Sequence, residues 1–499
     1  MFRSWSLLAA LPLAATAMPQ TDPARLPLLV PDVVTESVLP GAAKSVALQR
    51  DTLASLRDGV PAGTRVAIPT GPGSLLELVV EASSRSRLGA TVLRGHVADG
   101  GTASSFGLAT DGRKCALFAH TSDGRVYALR SGRGEAELTR FDGDAFSSCG
   151  VNRDFLVAHA PEPTSVAIDP SGPAAAQGGV SFDVLVLHTP AVSALAGGPV
   201  GLLLEVEAAL AEANQALVDS QAGSVAFALT GVLPVDYDEA GGTHTDHLAA
   251  LSDPDDGTLD AALEWREAAG ADLVSLIVDD DDGGTTSGLG FILPPFPLPF
   301  APDTGPFNTV DYGSLANLEL PHQLGHNAGC AHDYDNAEVG VPEIGVGPLP
   351  YPATPMAFGW RWTGTSANAY RSVMALGSGT RVARFSNPDV LFDGVATGKE
   401  SGGFLDPAAD NAGSLLEVAT RVADFQPTPP TLTEVYVDLD LATPSGDGSE
   451  SAPYAMLEEG LLRVASGGSI FVRGTGLATP PVLTPVRIRA WTAPGTLLD

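Results

Sequence analysis

In the first third of the chain, short apolar runs such as Val66-Ala67-Ile68, residues 90–93 and residues 126–129 alternate with Gly, Asp and Ser. That rhythm predicts strands, and a mostly β unit over residues 18–160. Residues 161–179 are dense in Pro, Ala and Gly, which reads as a linker and would suit proteolytic release. From Val180 the pattern changes. An apolar run of strand length, Val180 to His188, is followed by Leu203, Val206, Leu210, Ala213 and Leu217 at helical spacing, predicting a helix over 200–218. A strand over 224–233, a helix over about 258–269 and a buried strand over 272–278 follow. The β-α-β-α-β order predicts a layered α/β sheet with helices packed on it. Five prolines within residues 294–302 predict an irregular loop. Pro427, Pro429 and Pro430 mark a second linker, 427–433. Beyond it the pattern predicts strands at 435–438 and 469–473 with a short helix over 456–464 between them.

The first residues form a separate element. Arg3, an apolar run over 7–14 and the small-residue triplet Ala15-Thr16-Ala17 predict a secretory signal peptide, residues 1–17, and hence a secreted, extracellular or periplasmic protein. Pro12 disfavours a buried helix there. No later stretch approaches the roughly 18 uninterrupted apolar residues of a membrane span. A length of 499 residues suggests about three folded units after the signal. The net charge of -32 makes nucleic acid and anionic membrane poor partners. The surplus carboxylates read as a solvated surface rather than calcium sites. The aspartates at 279–282 precede Gly283-Gly284 without the spacing of an EF-hand and read as a solvated turn. Three cysteines, Cys115, Cys149 and Cys330, allow at most one internal disulfide, so disulfides are not the framework.

The candidate chemistry lies in His322-Gln323-Leu324-Gly325-His326-Asn327-Ala328-Gly329-Cys330-Ala331-His332-Asp333. Residues four apart on a helix share a face, so His322 and His326 can offer both imidazoles to one ion. Gly329 can adopt a backbone conformation closed to other residues and turn the chain, bringing His332 back as a third ligand. Three imidazoles leave a tetrahedral zinc with one open position, the arrangement of a catalytic rather than a structural site. From this composition, three His and one Gly meet at these offsets by chance with a probability of about 3 × 10⁻⁴.

This motif resembles that of the metzincin zinc metallopeptidases, in particular the bacterial relatives of the reprolysin and adamalysin branch, whose pattern is H-E-x-x-H-x-x-G-x-x-H-D. The chain matches every fixed position except the second. Tyr370-Arg371-Ser372-Val373-Met374-Ala375 resembles the family's methionine turn beneath the zinc. Arg384-Phe385-Ser386-Asn387-Pro388-Asp389-Val390 and Ala409-Asp410-Asn411-Ala412 are similar to stretches that follow it. The resemblance covers about residues 180–426. It implies a zincin-like α/β (α+β) domain with a mixed twisted sheet and an active-site helix, bound Zn2+, and peptide or protein chains as partners in the cleft.

In the family, the glutamate after the first histidine is the general base, taking a proton from the attacking water and passing it to the leaving amine. Here Gln323 stands at that position. An amide can hydrogen-bond the water but cannot take its proton, so a contribution of about 10² to 10⁴ in rate should be lost while zinc binding survives. Glu319, one helical turn before His322, is the nearest acid and a poor candidate substitute. By resemblance Asp333 is a structural partner. Cys330 reads as a packed thiol.

The resemblance also implies that the N-terminal β unit is a pro-domain. Cys149-Gly150-Val151 looks like a cysteine able to occupy the open zinc position; pairing of Cys149 with Cys115 is the equal alternative. Residues 434–499 resemble the start of a right-handed parallel β-helix of about two coils, fewer than the three or so such a solenoid needs by itself. Together these readings predict a secreted zinc-binding protein with weak or absent peptidase activity. The alternatives are an active zinc endopeptidase and an extracellular adhesive or carbohydrate-binding protein.

Overall fold

The computed structural model describes residues 25–30, 40–98, 100–132, 135–143, 146, 149, 179–254, 256–279, 286–293, 306–337, 352–402, 407–441, 446–475 and 486–491. The expected signal peptide, nearly all of the 161–179 linker, most of the 279–282 aspartates and the whole proline loop, 294–302, lie outside the described residues.

The N-terminal unit is built of strands, as the alternation predicts. They are β1 (Arg25–Pro27), β2 (Ala43–Val46), β3 (Arg65–Gly71), β4 (Ser74–Arg85), β5 (Thr91–Val97), β6 (Ser105–Thr110), β7 (Cys115–His120), β8 (Arg125–Ser131) and β9 (Ala136–Asp142). They form one sheet in the order β1-β3-β4-β5-β6-β7-β8-β9-β2, antiparallel except for the β1/β3 pair. An antiparallel bridge between Leu29 and Leu48 ties the two edges together. One face buries Leu78, Leu93, Leu108 and Leu117 against Leu53 and Leu56 of the helix Arg50–Arg57.

The central unit follows the predicted order. Strands β10 (Val180–His188), β11 (Val225–Pro234), β12 (Leu273–Val278), β13 (Gly288–Gly290) and β14 (Phe307–Asp311) make a five-stranded mixed sheet, order β11-β10-β12-β14-β13. All pairs are parallel except β13 with β14. A long helix, Pro199–Asp219, and a helix Ala261–Ala269 connect the strands. The helix His244–Ser252 and strand β14 were not legible in the hydrophobic pattern. The first has only Leu248, Ala250 and Leu251 as buried apolar residues, and in β14 two consecutive buried polar residues, Asn308 and Thr309, separate Phe307 from Val310 and break the alternation. The chain is thus an α+β protein, and no helix among the described residues is long and apolar enough to cross a membrane.

The long helix is enclosed on both sides. Leu203, Val206, Leu210, Ala213 and Leu217 join Phe182, Val184 and Val186 of β10 in the core, as the spacing predicts. Yet Glu205, Glu207, Glu212 and Gln215 are buried as well, because the N-terminal sheet lies over the helix's other face. Ala109, Ala116, Phe118 and Val126 of that sheet belong to the same core as the helix. At Gly107 the strand touches the helix backbone: an added Cβ would sit 1.9 Å from the Ala208 carbonyl oxygen and 2.7 Å from the Glu212 nitrogen. Since backbone atoms cannot swing aside as a side chain can, Gly107→Ala is expected to destabilise the docked pair by about 3 kcal/mol, the upper end for overpacking. Thermal unfolding of the variant checks this; an unchanged midpoint would show that the two units can shift apart freely.

Downstream, strands Leu432–Asp438, Val464–Arg473 and Arg487–Ala490 pair in parallel, with the helix Leu457–Arg463 between the first two. Val435, Val437, Tyr454, Leu457 and Ile470 form their core. The first of these strands begins inside the predicted 427–433 linker.

Candidate metal centre

The helix that carries the motif spans Glu319–Asn327. It tolerates Pro321 because a proline in the first turn removes an N–H that has no partner within the helix. His322 and His326 project from one face, their ring centroids 4.6 Å apart. The chain then reverses at Gly329, whose φ of +89° belongs to the left-handed region and whose Cβ would collide with Ala353 at 2.2 Å. The backbone bonds Gly329 N to His326 O and Cys330 N to Gly325 O, both 2.8 Å, close the turn. His332 returns on the short strand Ala331–Asp333, which is paired with Phe358–Gly359.

The three rings converge through Nε2. His332 Nε2 lies 3.2 Å from His322 Nε2 and 3.0 Å from His326 Nε2. His322 Nδ1 donates to the Val373 carbonyl at 2.8 Å and His326 Nδ1 to the Cys330 carbonyl at 2.7 Å. A carbonyl can only accept, so both Nδ1 atoms carry the proton and both Nε2 atoms present lone pairs to the centre. Burial, reinforced by its neighbours His326 and Arg381, lowers the His322 pKa well below the ordinary range; burial likewise lowers His332, and takes His326 down to about 4. Neutral rings with inward lone pairs repel one another unless a cation lies between them. A tetrahedral zinc with nitrogens at about 2.0–2.1 Å would set them roughly 3.3 Å apart, close to the separations found. The donor set therefore fits a metal ion.

A fourth candidate ligand atom comes from the segment that follows the N-terminal sheet. Cys149 Sγ lies 3.8 Å from His326 Nε2, and the thiol and the three imidazoles offer ligand atoms all within 4.8 Å of one another. All four residues are buried. No disulfide joins any of the three buried cysteines, so the Cys115–Cys149 bond left open by the sequence is not formed.

Met374 is fully buried against the motif helix, where a side chain at Gly325 would strike its Sδ at 2.6 Å. The same turn supplies the Val373 carbonyl that orients His322. Asp333 is a strut: it accepts from Leu376 N at 2.9 Å, Asn336 Nδ2 at 2.8 Å and Arg361 Nε at 2.9 Å.

Gln323 occupies the position beside the centre. Its Nε2 donates to Cys149 Sγ at 3.1 Å and to Glu319 Oε1 at 2.8 Å. This fixes which end of the amide is nitrogen, since the reverse orientation would set a carbonyl oxygen against a carboxylate. Gly288 and Gly290 of β13 lie against the same side chain. Glu319 is fully buried and ion-paired with Arg381 Nη1 at 3.0 Å. Burial alone would raise its pKa, but the Arg381 charge and hydrogen bonds override this and hold it below the ordinary carboxylate value. Nothing in the motif pointed to Arg381, which lies 62 residues from Glu319 in sequence.

No protein-family model and no curated protein matches this chain. Among solved structures it is similar to a chain of a chaperone–substrate complex, at 15% identity and a TM-score of 0.34, covering 73% of this chain and 43% of that one. It is also similar to metalloproteinase-II of Bacteroides fragilis, at 12% identity and a TM-score of 0.36, covering 67% of this chain and 94% of that one. Both scores are too low for a shared fold to be read from either. What the site itself establishes is a buried Cys/His/His/His group able to hold a metal ion.

Proposed function

We propose that the chain is a secreted, zinc-binding protein of metzincin type in which peptidase activity is weak or absent and the cleft serves to bind peptide chains. His322, His326 and His332 are the zinc ligands, Cys149 takes the fourth position, and residues 18–160 act as the pro-domain that delivers it. Bound zinc would polarise a peptide carbonyl. The observation that carries the reading is the convergence of three Nε2 atoms, two of them oriented by backbone carbonyls, beside an amide, Gln323, in place of a carboxylate. An amide bound to Glu319 and Cys149 as a donor has no basic atom with which to take a proton.

The rival, a working endopeptidase with Glu319 as base, has less support. Glu319 is committed to Arg381, its lowered pKa makes it a weak base, and the Gln323 amide stands between it and Cys149. Elemental analysis of the full chain is expected to return one zinc per chain, and His326→Ala to return none. Replacing zinc with cobalt should give a thiolate-to-metal absorption band that Cys149→Ser removes. Protein free of stoichiometric metal, or brisk chelator-sensitive cleavage once the N-terminal unit is removed, would overturn the proposal.

A further inference from the structure

The surface between the N-terminal sheet and the long helix is unusually polar for the inside of a protein. Arg130 Nε pairs with Glu205 at 3.0 Å, His120 Nδ1 lies 2.7 Å from Glu212 Oε1, and Arg87 Nη1 reaches Asp183 of β10 at 3.1 Å. At the far end of the helix sits His96 of β5, 7% exposed. Its Nδ1 is 2.7 Å from Glu81 Oε1 on β4 and its Nε2 is 3.0 Å from Asp219 Oδ2 on the long helix.

We propose that His96 is a proton-operated clasp between the two domains: the charged ring ties β4 to the long helix, and its loss of a proton as pH rises loosens the N-terminal unit. The inference rests on how the domains dock and does not depend on the metal centre.

The hydrogen-bond count carries it. A neutral imidazole has one N–H and one lone pair, whereas only the imidazolium donates from both nitrogens. His96 faces a carboxylate oxygen at each nitrogen, and neither oxygen of an ionised carboxylate can donate. Deprotonation would therefore aim a lone pair at a carboxylate within 3.0 Å, on one side of the ring or the other.

The surroundings hold both acceptors in place. Gln215 of the long helix donates from Nε2 to Glu81 Oε2 at 3.0 Å and to Asp219 Oδ1 at 2.9 Å. Arg94, on the same strand as His96, donates to Gln215 Oε1 at 2.7 Å. From the segment that follows the methionine turn, Arg384 Nη1 donates to Asp219 Oδ2 at 2.9 Å. Facing His96 are thus Glu81, Asp219, Gln215, Arg94 and Arg384. Burial alone would lower the His96 pKa, but Asp219 and then Glu81 override it and raise the value above the ordinary one. A pKa raised in the docked state contributes docking stability that is fully present below the undocked value of about 6.5 and is lost as pH climbs through the docked value. The other polar pairs persist, so the domain loosens rather than falls away.

Hydrogen exchange of the full chain at pH 5.5 and 8.5, corrected for intrinsic rates, tests this on β5 and on the last two turns of the long helix. Protection there is expected to fall about tenfold at the higher pH, as one charge-assisted hydrogen bond is lost. In His96→Gln, whose amide cannot titrate, the two segments should show equal protection at both pH values. Asp219→Asn, which removes one of the two negative charges facing the ring, should show a smaller fall than the unmodified chain. Should His96→Gln fold poorly, titration of ¹³C-labelled histidines in the unmodified chain decides: the signal missing from Asp219→Asn at its original position must titrate above free imidazole. A pH profile that survives His96→Gln, protection that rises with pH, or a His96 signal titrating below free imidazole would sink the proposal.

Discussion

Exchanging amide and carboxylate on neighbouring turns, Glu319→Gln together with Gln323→Glu, is expected to raise chelator-sensitive kcat/KM on peptides by about 10² to 10⁴, the usual contribution of a general base. The assay calls for protein freed of its N-terminal unit through a protease site placed between residues 161 and 179, since Cys149 Sγ otherwise lies 3.8 Å from His326 Nε2 at the centre. Gln323→Glu alone should gain less and fold less well. Its carboxylate would sit where Nε2 now lies 2.8 Å from Glu319 and 3.1 Å from Cys149, with Arg381 as the one cation paired to Glu319 among the described contacts. Two buried carboxylates so close cannot both ionise, so one pKa rises. A carboxyl whose folded pKa is raised stabilises at low pH and costs stability as pH climbs through that value. The single variant should therefore unfold more easily at pH 8 than at pH 5, whereas the double exchange keeps one negative charge and avoids this penalty. Equal activity in the unmodified chain and the double variant would show that the proton travels through some other group.

Stripping the metal should have the second largest effect. Ligand removal lowers stability by RT ln(1 + [L]/Kd), about 4 kcal/mol when free zinc stands 1,000-fold above Kd. The loss should reach both domains, because Cys149 comes from the N-terminal unit and the histidines from the central one. Calorimetry with and without chelator is expected to show a lower midpoint for the stripped chain. His326→Ala should start from the lower midpoint and ignore the chelator. Cys149→Ser should keep a metal-dependent midpoint for the central unit while the N-terminal unit no longer responds. A midpoint indifferent to chelator in the unmodified chain would mean that the rings, despite their inward lone pairs, do not hold an ion.

The elements that the chain's pattern predicts share one property: their determinants lie close together in sequence. Val180 to His188 forms the strand with the predicted bounds, and the long helix extends the predicted 200–218 by one residue at each end. The histidine triad is legible for the same reason. Helical spacing brings His322 and His326 to one face, and one glycine with positive φ returns His332 within six residues of His326.

What the sequence by itself determined is therefore the local set: the strand and helix order of the central unit, the three imidazoles, and the amide at position 323. Contacts across long separations were decided by the tertiary structure alone. Glu319 finds Arg381 across 62 residues and His96 finds Asp219 across 123, while for Cys149, which meets His326 across 177, the sequence left a metal-centre role and a disulfide with Cys115 equally open. The burial of Glu205 and Glu212 belongs here too, since a charged helix face reads as solvated until a second domain covers it. The physical reason is that periodicity encodes which residues share a face, whereas the partner of that face depends on how whole domains pack.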